Sequence, residues 1–185
     1  MKQPAIFLDR DGVIIENCSN YVRSWADVEI FPQAIDALVA LRDSPYRLVL
    51  VTNQSAVGRG LITRETAEAI NDRLLAVIRA AGGRVDAVYM CPHGPDDGCD
   101  CRKPRPGLLL RAAAELDIDL GRSVMIGDAL SDVQAGQAAG VREAMLLRTG
   151  RGRDQEQLPA AAGLPRFSIF NTLADALDSL NQPLP

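Results

Sequence analysis

The chain has 185 residues, 47% apolar and 24% charged, with 24 acidic against 20 basic side chains for a net charge of −4. That length suits one domain, residues 1–185, with a buried core and no need of disulfide staples. The acidic balance argues against nucleic acid or an anionic membrane as a general partner, so an anionic ligand must be held by a local cluster of cations.

The opening "MKQPAIFLDRDGVII" reaches acidic residues too early for a signal peptide. No apolar run approaches the roughly 18 residues of a spanning helix. Both point to a cytoplasmic protein. "AIFL" (5–8) is a short apolar run that stops at Asp9. Over 32–42, helical spacing puts Ile35, Leu38 and Val39 on one face. "RLVLVTNQS" (47–55) is apolar to Val51 and polar from Thr52. Over 63–81, Ala67, Ile70, Leu74, Val77, Ile78 and Ala81 follow a 3.6-residue period, with Thr63 as N-cap and Gly82-Gly83 as the stop. "VDAVYMC" (85–91) ends at a cysteine-rich loop, and a helix over 107–116 follows, with Pro106 in its first turn. "SVMIGD" (123–128) runs into Gly127-Asp128 before a helix over 130–139. "EAMLLRTG" (143–150) and "RFSIF" (166–170) are the last apolar runs. Between them, 148–165 reads as a long surface excursion, and a helix over 172–180 closes the series. Short runs that are apolar on both faces, alternating with helices, predict a doubly wound parallel α/β sheet.

Nearly every polar residue of interest follows the end of an apolar run. In an open parallel sheet those ends converge on one crevice. Asp9, Asp11 and Asp128 would meet there as three carboxylates, a cluster that a hard, oxygen-loving cation such as Mg²⁺ relieves. Thr52 and Asn53 offer donors to an anionic oxygen; Lys103 offers a point charge and Arg102 a bidentate fork. Carboxylates, metal, hydroxyl and lysine together suit phosphoryl transfer. Each piece has a plainer reading by itself. "DRDG" can be a turn, "VTNQS" a helix cap, "RKPRP" a solvated basic loop, and "GDALSD" a turn capped by Asp128. Their order, each at its own strand end, favours the chemical reading.

Three of the four cysteines and the single histidine lie within "CPHGPDDGCDC" (91–101). Soft and borderline ligands in one loop read as a metal site rather than a secreted disulfide framework. A disulfide between Cys99 and Cys101 would close a strained ring. Cys18 stands apart as an ordinary thiol.

"DRDGV" (9–13), "VTNQS" (51–55), "RKP" (102–104) and "GDALSD" (127–132) together resemble the haloacid dehalogenase superfamily of phosphatases. "TNQSAVGRG" and the cysteine loop are similar to its heptose bisphosphate 7-phosphatases, with histidinol-phosphate phosphatases as close relatives. The resemblance implies a Rossmann-like fold without a large cap domain, with a structural zinc loop over 91–101 held by Cys91, His93, Cys99 and Cys101. It implies Asp9 as nucleophile, Asp11 as acid and base, and Mg²⁺ on Asp9, Asp11 and Asp128. Thr52, Asn53 and Lys103 would hold the transferring phosphoryl group, and Asp132 would support the metal shell or Lys103. Arg10, Asn20, Tyr21, Gln54, Ser55 and Arg102 would face the sugar and its other phosphate. The implied partner is a small sugar phosphate, and the implied state a monomer. A lysine that commonly follows the fourth-strand aspartate in the heptose enzymes is Ala129 here, so Arg148, Arg151 or Arg153 is the candidate replacement.

Overall fold

The structure, a computed structural model, describes residues 2–180. Six strands, β1 (Ala5–Leu8), β2 (Arg47–Asn53), β3 (Ala87–Cys91), β4 (Val124–Gly127), β5 (Glu143–Leu147) and β6 (Ser168–Phe170), pair in parallel in the order β3-β2-β1-β4-β5-β6. The winding reverses between β1 and β4, and a crevice opens at that reversal beyond the carboxyl ends of the strands.

Strand alternation explains why the central runs are apolar throughout. Ile6 and Leu8 of β1 enter one core with Leu48, Leu50, Val124 and Ile126, while Ala5 and Phe7 enter a second with Val49, Val51 and Met125. The first core is covered by α1 (Pro32–Ala40), α3 (Arg64–Ala80) and α8 (Leu173–Leu180). The second lies under α4 (Gly107–Glu115) and part of α5 (Leu130–Ala139). Every residue of β1 is fully buried, so side chains line both faces of the strand on which the site is built.

The helices follow the predicted spans with local differences. Thr63 caps α3 by accepting the Thr66 N–H at 3.2 Å. Its buried stripe is Ala67, Ile70, Asn71, Leu74 and Ile78, and Val77 and Ala81 face solvent instead. In α1 the buried residues are Ala34, Ala37 and Leu38, with Ile35 and Val39 at the edge of the interface. Pro106 is the N-cap of α4 rather than a first-turn residue. Ala129, not Asp128, occupies the N-cap of α5. The 148–165 stretch is not simply a surface excursion: it contains α6 (Gly152–Glu156) and α7 (Pro159–Ala162), and Gly152 is buried.

No cap-sized insert interrupts the sheet. Between Gly12 and Val51 lie only a 3-10 turn (Trp25–Asp27), α1 and the start of β2; between Ser55 and Lys103 lie α2 (Ser55–Gly58), α3 and β3. Among the described residues no helix is long and apolar enough to cross a membrane.

Candidate active site

Asp9 follows β1 and Asp128 follows β4, and these strands are neighbours with Leu8 opposite Ile126. The Asp9 N–H donates to the Ile126 carbonyl at 3.0 Å, which fixes the two aspartates at one height on the sheet edge. Asp132, on the first turn of α5, joins them: one carboxylate oxygen of each lies within 4.8 Å of the others. All three are buried. Burial pushes Asp9 up to about 6, against the pull of Lys103, and the charges of Asp132 and Asp11 push the same way as burial. Asp128 and Asp132 are also raised, again chiefly by burial.

Lys103 is the counterweight. Its ammonium lies 2.9 Å from Asp9 Oδ1 and 2.6 Å from Asp132 Oδ1, and donates to the Val51 carbonyl at 2.7 Å. Burial by itself favours the neutral amine, but the Asp132 and Asp9 carboxylates outweigh it and hold Lys103 above the usual lysine range. The Asn53 amide fixes the backbone of Lys103, donating to its carbonyl at 3.0 Å and accepting its N–H at 3.1 Å. Asn53 therefore serves β2-to-loop attachment, besides lining the crevice.

Asp11 is held from two sides. Gln54 donates to its Oδ2 and to Thr52 Oγ1, both at 2.9 Å. Arg10 donates to both Asp11 oxygens at 3.0 Å and to Asn71 Oδ1 at 2.8 Å. Expected at the substrate, Arg10 is instead 1% exposed; its Nη1 and Nη2 brace Asp11 against Asn71 of α3. Asn20 is also displaced from its expected place. It is solvent-exposed, and its carbonyl accepts from Arg23, while Asn17, Ser19 and Tyr21 of the same segment line the crevice.

Asn17 reaches Asp128 Oδ2 at 2.5 Å, and the Arg151 N–H reaches the same oxygen at 2.9 Å. The Arg151 guanidinium lies 3.5 Å away, so of the three arginines proposed after β5 it is Arg151 that stands at the site. Gly12 makes this packing possible. It sits at φ +82, and a Cβ there would overlap the Asp128 carboxylate and the Asn17 amide.

Asp9 Oδ1 and Asp128 Oδ1 are buried and accept no hydrogen bond; Lys103 meets the former as an ion pair, off the hydrogen-bond direction. Buried carboxylates with oxygens lacking hydrogen bonds, one oxygen of each within 4.8 Å of the others, fit a small hard cation such as Mg²⁺.

The cysteine loop folds its four soft ligands together. Cys91 Sγ lies 3.1 Å from Cys101 Sγ, 3.7 Å from Cys99 Sγ and 3.5 Å from His93 Nδ1. Cys101 Sγ lies 3.3 Å from His93 Nδ1 and 3.5 Å from Cys99 Sγ. Zn–S bonds of about 2.3 Å give a tetrahedron with edges of roughly 3.8 Å, close to this array. Three thiols and one imidazole gathered this closely form a donor set that fits zinc. From this loop Arg102 donates to Ser55 Oγ at 2.7 Å and to the His93 carbonyl at 3.3 Å.

The crevice has a volume of about 920 Å³. Its wall carries five cations, Arg59, Arg102, Lys103, Arg105 and Arg151, against one carboxylate, Asp11. In a chain of net charge −4, that local excess of cations suits an anionic ligand. Thr52 lies fully buried behind it at the end of β2. Cys18, set aside above, lies on the wall too. Asn17 belongs to the "NCSNY" segment (17–21) expected to face the sugar and its other phosphate, and here it meets Asp128; Arg59 and Asn71 were not reached from the sequence. Asn71 left a trace, being an amide on the apolar stripe of α3.

A family model for HAD-hydrolase-like proteins matches residues 100–176. The D-glycero-beta-D-manno-heptose-1,7-bisphosphate 7-phosphatase of Bordetella bronchiseptica is 42% identical over 178 residues, covering 96% of this chain and 97% of the relative. The protein of that name from Escherichia coli K12 is 39% identical over 179 residues, covering 93% and 91%. A crystal structure of D,D-heptose 1,7-bisphosphate phosphatase from B. bronchiseptica, complexed with magnesium and phosphate, superimposes with a TM-score of 0.89 at 40% identity, covering 97% of this chain and 98% of that one.

Proposed function

We propose a reaction from one premise: the chain belongs to the haloacid dehalogenase superfamily, and it is a phosphoric monoester hydrolase. The reaction is removal of the 7-phosphate from D-glycero-D-manno-heptose 1,7-bisphosphate, as a step towards nucleotide-activated heptose. The observation that carries the choice of a bisphosphate is the cavity wall, with five cations and one carboxylate. The names of the relatives at about 40% identity support the sugar.

In this reading the Asp9 carboxylate attacks phosphorus and forms an aspartyl-phosphate as the sugar oxygen leaves. The Lys103 ammonium stabilises the charge on the transferring group, and the Thr52 hydroxyl donates to it. Asp11 gives a proton to the leaving oxygen, then takes one from the water that attacks the aspartyl-phosphate. Arg10 and Gln54 both donate to the Asp11 carboxyl. Acting as acid requires its carboxyl to leave the Arg10 fork. Asp9, Asp128 and the backbone carbonyl of Asp11 would hold Mg²⁺. When bound, Mg²⁺ supplies positive charge that offsets the carboxylates and the phosphoryl oxygens. Asp132 positions Lys103. Zinc on Cys91, His93, Cys99 and Cys101 is structural, since four protein ligands leave no place for a reacting water. We take the protein to be a single-domain cytoplasmic monomer acting on a small molecule, not on nucleic acid or membrane.

The test is phosphate release with Mg²⁺ from both heptose bisphosphate anomers and from histidinol phosphate. Expected is a kcat/KM for one or both anomers at least about tenfold above that for histidinol phosphate, the floor set by one net hydrogen bond of about 1.4 kcal/mol. A preference for histidinol phosphate, or failure on all three, overturns the reading.

A further inference from the structure

Four of the five cavity cations are already engaged. Lys103 sits between two carboxylates. Arg102 donates to Ser55 Oγ, Arg105 donates to the carbonyls of Gly98 and Cys99 at 2.6 Å, and Arg151 lies beside Asp128. Arg59 differs. Among the described residues its guanidinium makes no hydrogen bond and no ion pair, and its aromatic neighbour is Tyr21, with the ring centroid 5.9 Å away.

Both residues are mounted in ways that a merely solvated pair does not require. Arg59 stands at the end of α2, between two glycines. A Cβ at Gly58 would run into the backbone of His93 and Gly94, so the turn bearing Arg59 presses directly on the cysteine loop. Gly60 takes φ +68 to carry the chain away. Tyr21 adopts φ +63, a left-handed conformation that a bulky residue keeps only where its surroundings impose it, and such residues cluster at ligand sites. Tyr21 is 37% exposed and lines the cavity.

We propose that Arg59, braced by Tyr21, binds the phosphate of the substrate that is not transferred. This rests on the sugar-bisphosphate reading above. A phosphate dianion rewards a planar fork of unspent N–H donors, and among the described residues Arg59 is the cavity arginine with none of its donors engaged. Tyr21 limits the positions open to the guanidinium by cation–π contact without consuming those donors.

The experiment compares wild type, Arg59→Ala and Arg59→Lys on the heptose 1,7-bisphosphate and on the heptose 7-monophosphate. Loss of charge-assisted bonds predicts that Arg59→Ala lowers kcat/KM for the bisphosphate by about 10- to 100-fold and for the monophosphate by less than about threefold. Arg59→Lys keeps the charge without the fork and recovers part of the bisphosphate rate; it also reads the effect should the alanine variant fold poorly. If both variants keep the wild-type ratio between the two substrates, the inference falls alone. If wild type itself does not prefer the bisphosphate, the bisphosphate reading falls and takes this inference with it.

Discussion

Asp132 offers a sharp test of how the site is assembled. Its carboxylate meets Lys103 at 2.6 Å and accepts the Ala129 N–H at 3.1 Å, at 1% exposure. Asp132→Ala strips one partner from a buried ammonium and leaves a buried amide unpaired. Breaking a buried pair costs about 3–5 kcal/mol. Lys103 retains Asp9 at 2.9 Å and the Val51 carbonyl at 2.7 Å, so the expected loss is at the low end, about 3 kcal/mol. For a chain of this size that lowers Tm by roughly 6–12 °C. Lys103 meets Oδ1 and the Ala129 N–H meets Oδ2, so Asp132→Asn keeps an acceptor for only one of the two donors, sets its NH2 against the other and loses the charge; it should cost about 2–3 kcal/mol. Thermal denaturation followed by circular dichroism reads both. Phosphate release reads the other consequence: with one anchor gone, Lys103 is less well aimed, and kcat falls more than KM changes. A Tm of Asp132→Ala within about 1 °C of wild type, well inside the shift of even 1 kcal/mol, would refute the claim that Asp132 holds Lys103 in place.

Asp9→Asn should lower phosphate release by at least about a thousandfold while leaving the melting curve cooperative, because it removes the nucleophile and not the core. Residual turnover near wild type would exclude Asp9. Removing the structural metal with a chelator, or substituting Cys101→Ser, should lower Tm and activity together, with metal analysis giving one zinc per native chain. A zinc-free protein with wild-type Tm and rate contradicts the coupling of the cysteine loop to Arg102 and Lys103. Arg10→Met removes the fork on Asp11 without touching the cavity wall. It should reduce kcat by about 10- to 100-fold, as expected for a displaced general acid and base, and alter the pH–rate profile. An unchanged profile would mean that Asp11 does not depend on Arg10.

The fold was legible because its signals are periodic. Each strand of the sheet lies within a run that was apolar in the sequence, and each run ends at polar residues that the parallel topology gathers on one edge. The carboxylates and Lys103 could be read for that reason. Side chains in the loops obey no period, and there the reading was weaker. Arg10 and Asn20 sit in segments that face the crevice, yet the first turns inward to Asn71 and the second outward to solvent. Asn17 and Arg151 touch Asp128 from 111 and 23 residues away, separations that no local pattern encodes. The cysteine loop was the exception among loops, because ligand chemistry restricts which residues can share a metal.

The placement of Asp9 directly after β1 has a further consequence. That strand is hydrogen-bonded on both edges, by β2 and β4, and has no exposed residue. Its amides belong to the part of the molecule that opens last, at close to the free energy of global unfolding. The walls of the crevice come instead from surface segments, including the exposed Tyr21, Arg59, Arg105 and Arg151, which open at lower cost. Local opening of those segments therefore leaves Asp9 on an intact strand, and closing them again needs no refolding of the sheet.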